Sequence, residues 1–174
     1  MIKMTQEKFL LGMVVAHKPG VLHRVSNMFR RRNFNIESIS VGATEEKELA
    51  RMTLAISGDD RTARQVVKQM EKLLDVISVS LLDQNRTVLR ELALVKLPAA
   101  DPKTRSDIVN WANVFRSHVV DLSPESVIVE VTGTPDKIDA FIELAKSIGI
   151  KEISRTGVTA LERGAEAIHW TEAV

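Results

Sequence analysis

The chain has 174 residues, 44 % of them hydrophobic and 27 % charged, with a formal net charge of +1 and no cysteine. That length makes one ordinary domain or two small ones, burying roughly 70 % of the unfolded surface, and the composition excludes the disordered and membrane-spanning classes. Near-neutral charge excludes a global field toward nucleic acid or anionic lipid, and the lack of thiols excludes disulfides and thiolate chemistry, in keeping with a cytoplasmic protein.

Residues 1–8 are polar and precede an apolar run too short for a membrane span and without a signal-peptide cleavage pattern, so an N-terminal extension is expected there. Phe9 to Ala16 reads as a strand buried on both faces and central in its sheet. Pro19 and Gly20 end it in a tight turn. From Val21, the residues Val21, Leu22, Val25, Met28 and Phe29 recur at helical spacing, with Arg24, Asn27, Arg30 and Arg31 opposite. Asn35 to Thr44 and Leu49 to Ile56 form a hairpin around a charged turn at Glu45 to Glu48. Asp59 or Asp60 caps a helix with Ala63, Val66, Val67, Met70, Leu73 and Leu74 on one face, and Val76 to Leu82 is a fourth strand. The order βαββαβ is that of an α+β, ferredoxin-like sandwich.

After the polar linker 84–87 the element order repeats over 88–164. Strands are expected at Val88 to Leu97, His118 to Leu122 and Val127 to Val131, and helices over Pro102 to Phe115 and from Gly133 to near Gly149. Ile150 to Ser154 and a short segment through Leu161 follow, and 165–174 reads as a loosely held tail. The repetition is one of order, without residue-level self-similarity.

Catalytic motifs are missing: no nucleophile elbow, dinucleotide loop, phosphate loop or zinc-protease pair occurs. His17, His23, His118 and His169 are scattered without carboxylates at ligand spacing, so no metal site is expected. The Arg30-Arg-Arg32 run raises RNA binding, since RNA-binding modules use similar sheets, but those modules stack bases on central-strand aromatics that Leu49 to Ser57 lacks. The bland alternative is a solvated helix end complementing the helix dipole.

The Pro19-Gly20 turn opening a helix presents backbone donors and a positive helix end, which suits the carboxylate of a free amino acid or small organic acid; an ordinary turn is the other reading. Asn35, at the start of a mainly apolar strand, either bonds adjacent backbone or turns its amide toward a ligand.

His17-Lys-Pro-Gly-Val-Leu-His-Arg-Val25 and Phe29 to Ile39 together resemble the ACT domain of the regulatory (small) subunit of acetolactate synthase, also called acetohydroxyacid synthase. Arg90 to Lys96, Val129 to Phe141 and Ile153 to Gly164 are similar to that family's C-terminal domain. The resemblance implies two ferredoxin-like βαββαβ sandwiches, an ACT domain over 9–83 and a second domain over 88–164. It implies a non-catalytic homodimer that activates a separate catalytic subunit and transmits feedback inhibition by valine or a related branched-chain amino acid. Thiamine diphosphate, magnesium and FAD are expected on that partner and no cofactor on this chain. ACT domains of the family pair edge to edge with the effector at the interface. By position, the resemblance assigns effector contacts to Gly20 and Asn35, with Lys18, Pro19, Val21 and Ile36 beside them. His17 stands where the family usually carries asparagine, so an imidazole replaces a small amide. A free-standing sensor acting on another target is the alternative.

Overall fold

The computed structural model describes residues 7–165, 167 and 168 and divides the chain into two units, residues up to Val88 together with those from Gly157 onward, and Leu89–Thr156. Residues 1–6 of the expected extension, His169 and most of the expected tail lie outside the described residues.

In the first unit the order is β1 (Glu7–Ala16), α1 (Val21–Arg31), β2 (Ile36–Ala43), β3 (Leu49–Gly58), α2 (Asp60–Met70) and β4 (Val76–Leu82). The sheet runs β2-β3-β1-β4 and is antiparallel at every pairing. Alternation along β1 sends Leu11, Met13 and Val15 to the helix-covered face, where they join Met52, Leu54 and Ile56 of β3. Val21, Val25, Met28 and Phe29 of α1 and Ala63, Val66 and Met70 of α2 close that core. The Asp59 side chain caps α2 by accepting the Thr62 amide at 2.7 Å. Two expected core residues lie outside: Leu22 is half-exposed and Leu74 is 96 % exposed, because α2 ends at Met70 and Leu74 falls in the turn beyond it.

The other face of β1 carries Leu10, Gly12 and Val14, and it is covered as well. The cover comes from residues 157–165, 167 and 168, which cluster with this unit and include β9 (Thr159–Glu162), itself paired with the strand Thr87–Pro98. Ser40 Oγ and Thr159 Oγ1 are 3.2 Å apart, and Arg51 Nη2 donates to the Ala160 carbonyl at 3.1 Å. Val158, Ala160 and Ile168 are buried there. A Cβ on Gly157 would stand 2.5 Å from the Ile39 carbonyl oxygen, and one on Gly12 would stand 2.6 Å from Ile168 Cδ1, so both glycines are sites of close approach. Residues 157–164 thus strap the first unit, while β9 pairs with the strand Thr87–Pro98.

The expected linker is a 3-10 turn, Gln84–Arg86, whose Asn85 amide bonds the Asp83 carboxylate at 2.9 Å. The second unit contains β5 (Thr87–Pro98, mostly within it), α3 (Pro102–Val114), β6 (His118–Leu122), β7 (Ser126–Gly133), α4 (Pro135–Lys146) and β8 (Glu152–Arg155). Its strand order, β6-β7-β5-β8, repeats the first unit's topology, and β9 pairs with β5 off that path as a fifth strand of the sheet. Ala93, Val95 and Leu97 pack with Val127, Val129 and Val131 beneath Ile108, Ala112, Ile138 and Phe141. Phe115 meets Phe141 edge-on, centroids 5.3 Å apart. No helix among the described residues is long and apolar enough to cross a membrane.

Candidate effector site

Ala16 ends β1 by donating its amide to the Asp75 carbonyl, and His17 donates its own to the Glu48 carbonyl at 2.7 Å. The chain then turns through Lys18 and Pro19 to Gly20, which holds φ +85°, a left-handed conformation that suits glycine alone among common residues at low cost. Gly20 is the N-cap of α1 and contributes no side-chain cap, and no acidic residue occupies the first helical turn. The first helical bond runs from the Arg24 amide to the Gly20 carbonyl at 3.0 Å. The amides of Val21, Leu22 and His23 precede it and have no acceptor within the helix, and the positive end of the helix dipole lies at the same place. Val21 itself is buried in the core, while His17, Lys18, Pro19 and Gly20 are exposed.

Asp75 organises this turn. Its carboxylate accepts from Lys18 Nζ at 2.8 Å and from Arg24 Nε, with its side chain only 8 % exposed. The hydrogen bond from Lys18, followed by that from Arg24, holds the Asp75 carboxyl below the usual carboxylate range against the opposing effect of burial. Arg24 also lies beside Gly20, since a Cβ there would be 3.5 Å from Arg24 Nη1. Sequence reasoning missed both residues. Their partners are far apart along the chain, and the only local signal is a lone acid between Leu74 and Val76.

Asn35 is exposed and donates to the Glu37 carboxylate at 3.3 Å, so its amide bonds neither adjacent backbone nor core. Glu37 also accepts from Ser57 Oγ at 2.6 Å. Ile36 begins β2, partly buried against the core.

The register separates the two halves of the expected site. Phe9 and Ile36 both stand opposite Ile56, whereas Val15 and Ala43 both stand opposite Ala50. Asn35 therefore lies at the end of the sheet where β1 begins, and the Pro19-Gly20 turn lies where β1 ends. At about 3.3 Å per residue the two are roughly 25–30 Å apart within one chain. The structure brings His17, Lys18, Pro19, Gly20 and Val21 together and leaves Asn35 and Ile36 at the far end.

Arg30 and Arg31 occupy the last turn of α1, where cations complement the helix dipole. Phe9 and Phe34 pack against the core instead of offering an exposed stacking platform, and the strap covers the sheet face where bases would lie. Among the described residues no group of three His, Cys, Asp or Glu is placed to hold a metal.

Residues 11–78 match the family described as the AHAS small subunit-like ACT domain, and residues 90–164 match that described as the small subunit of acetolactate synthase. An acetolactate synthase small subunit from Mycolicibacterium smegmatis is 46 % identical over 158 residues, covering 91 % of this chain and 92 % of that one. One from Aquifex aeolicus is 43 % identical over 156 residues, covering 90 % and 81 %. The crystal structure of the acetolactate synthase small subunit from Thermotoga maritima superposes with a TM-score of 0.85 at 38 % identity, covering 92 % of this chain and 99 % of that one.

Proposed function

The chain belongs to the acetolactate synthase small-subunit family, and from that premise we propose that it is a non-catalytic, cytoplasmic regulator that binds the catalytic subunit, raises its activity and relays inhibition by valine or a related branched-chain amino acid. Thiamine diphosphate, magnesium and FAD are assigned to the catalytic partner. The effector's carboxylate takes the free amides after Gly20, and Asn35 of a second copy supplies the remaining polar contact.

The observation that carries this reading is the separation of the two halves along one sheet. β2 is the terminal strand of its sheet, bonded on one side to β3, and Val41 on it is 47 % exposed. Such an edge invites pairing. If two copies pair antiparallel along β2 about a two-fold axis, the start of one β2 comes level with the end of the other. That places Asn35 of each copy at the sheet end carrying the Pro19-Gly20 turn of its partner, and two equivalent sites form. An effector that binds one arrangement of the dimer better shifts its population, and a coupling of about 1–3 kcal/mol gives roughly 5–150-fold regulation.

The test is acetolactate formation by the separately purified catalytic subunit. Adding the chain should raise the rate and valine should reverse the gain, with glycine as control. Asn35→Ala should keep the activation and lose the valine response. A catalytic subunit indifferent to the chain overturns the regulatory reading; inhibition unchanged in Asn35→Ala overturns the site.

A further inference from the structure

The helix layer of the first unit carries more positive charge than its own ion pairs absorb. α1 and α2 cover one face of the sheet and are tied where Arg32 Nη2 donates to Gln69 Oε1 at 2.9 Å. Residues 21–32 and 60–72 hold eight Lys and Arg against two Asp and Glu, so on a chain of net charge +1 the remaining residues are net acidic. Arg24 is held by Asp75 and Arg64 by Asp60. Arg30, Arg31, Arg61, Lys68 and Lys72 are exposed and enter no ion pair among the described residues. A depression of about 320 Å³ runs along Asp60, Arg61, Arg64, Gln65 and Lys68, leaving space for an acidic side chain between the cations.

Like charges gathered on one face repel each other and attract a partner of opposite sign. The other face of the sheet is covered by the strap, and the β2 edge is assigned to a second copy, which leaves the helix layer as the broad face for a further partner among the described residues. Antiparallel pairing along β2 about a two-fold axis perpendicular to the sheet keeps both helix layers on one side, so a dimer presents the same excess twice on one surface. An apolar side chain stands at the end of the layer: Leu74, in the turn after α2, is 96 % exposed, and the next residue is Asp75, which holds Lys18 and Arg24. Nucleic acid fits this face poorly, because Phe29, the only Phe, Trp or Tyr in the two helices, is buried and offers no ring for a base.

We propose that the catalytic subunit docks an acidic surface on the helix layer of the first unit, with Leu74 as an apolar anchor. The assignment rests on the regulatory reading above and names the surface it uses. The cations of α1 and α2 steer the encounter and set its register. Contact at Leu74 lies one residue from the carboxylate that fixes the Gly20 turn, so docking and effector binding bias the same element.

The experiment titrates the full-length chain into the catalytic subunit and reads the concentration that gives half-maximal activation. Arg61→Glu with Lys68→Glu should raise it about tenfold or more. Arg90→Glu with Lys103→Glu, the same change in net charge on exposed residues of the second unit, should leave it within about twofold. Leu74→Ser should raise it several-fold with the melting temperature unchanged, and this variant decides the matter should the charge reversal disturb α2. Raising salt from about 0.1 to 1 M, which shortens the screening length from about 10 to 3 Å, should weaken the wild type and narrow its lead over the α2 variant. A wild type that does not activate defeats the regulatory reading and this surface with it. A wild type that activates, while the α2 or Leu74 variant matches it or the second-unit control is as weak as the α2 variant, overturns the surface alone. Retardation of a short RNA by the wild type, lost in the α2 variant while its activation is kept, also overturns the surface and assigns the face to nucleic acid.

Discussion

Two inactive variants should restore each other if the effector site spans two copies. Gly20→Ala alters the turn, where φ +85° costs a non-glycine residue about 1–2 kcal/mol. Asn35→Ala removes the amide at the far end of the sheet. Register places these positions roughly 25–30 Å apart in one chain, a span no free amino acid bridges. In a homodimer of either variant both sites are damaged. In a mixed dimer one site combines Gly20 of one copy with Asn35 of the other and is intact, while the second carries both lesions. Random exchange of equal amounts makes about half the dimers mixed, each with one sound site, so about a quarter of all sites return. The assay is valine inhibition of the catalytic subunit activated by each variant alone and by the mixture refolded together. Inhibition absent in both variants and partly recovered in the mixture is expected. A mixture as unresponsive as its components, with subunit exchange verified, refutes the two-copy site.

Gly157→Ala forces a Cβ against the backbone of Ile39 and should cost about 1–3 kcal/mol, or roughly 2–12 °C in Tm, whereas Gly42→Ala, with open space around its Cβ, should melt like the wild type; equal melting of the two sinks the strap's close approach. Asp75 has a depressed folded-state pKa, so the stability it contributes is complete above the unfolded value near 4 and is lost as pH falls through the lower folded value. Asp75→Asn should therefore lower the urea midpoint at neutral pH, and its difference from wild type should shrink in acid; a pH-independent difference would contradict this. Leu74→Ser should change stability by no more than about 0.5 kcal/mol in denaturant melts, since the side chain is 96 % exposed.

Local signals carried most of the element order. Asp59 before an apolar helical stripe marks the start of α2, and Val76 to Leu82 is observed with the bounds its residues suggest. Leu74 misleads because no glycine or proline marks the end of α2, so the apolar period runs on past the last helical turn. The strap was harder, since nothing local in Ile153 to Leu161 says what it packs on; β9 pairs with β5, while further bonds run to the Ser40 and Arg51 side chains. One clue was present. β1 reads as buried on both faces, while a two-layer sandwich has helices on only one, so Leu10 and Val14 required a cover that the helices do not supply. Of the site, the turn was legible and Asp75 was not, because an ion pair between distant segments leaves no periodic trace.

The same topology is built twice, and the helix after each first strand is treated differently at its N-terminus. In the second unit β5 leads to α3 through Asp101, whose carboxylate accepts the Thr104 amide at 2.8 Å. That helix carries its own anion at its N-terminus, and the hydrogen bonds from Thr104 hold Asp101 below the ordinary carboxylate pKa, so it stays charged near neutrality. α2 is closed by Asp59 in the same way. α4 has Thr134 at its cap without a side-chain bond, but Pro135 in its first turn removes one of the donors that need a partner. α1 has none of these: glycine at its cap, no acid in its first turn, and proline placed before the cap where it shapes the turn without consuming a helical donor. The Asp75 carboxylate beside the turn is tied to the Lys18 and Arg24 side chains. The turn is thus held in place from the side while the amides at the start of α1 stay open, which is the arrangement the proposed exchangeable carboxylate ligand requires.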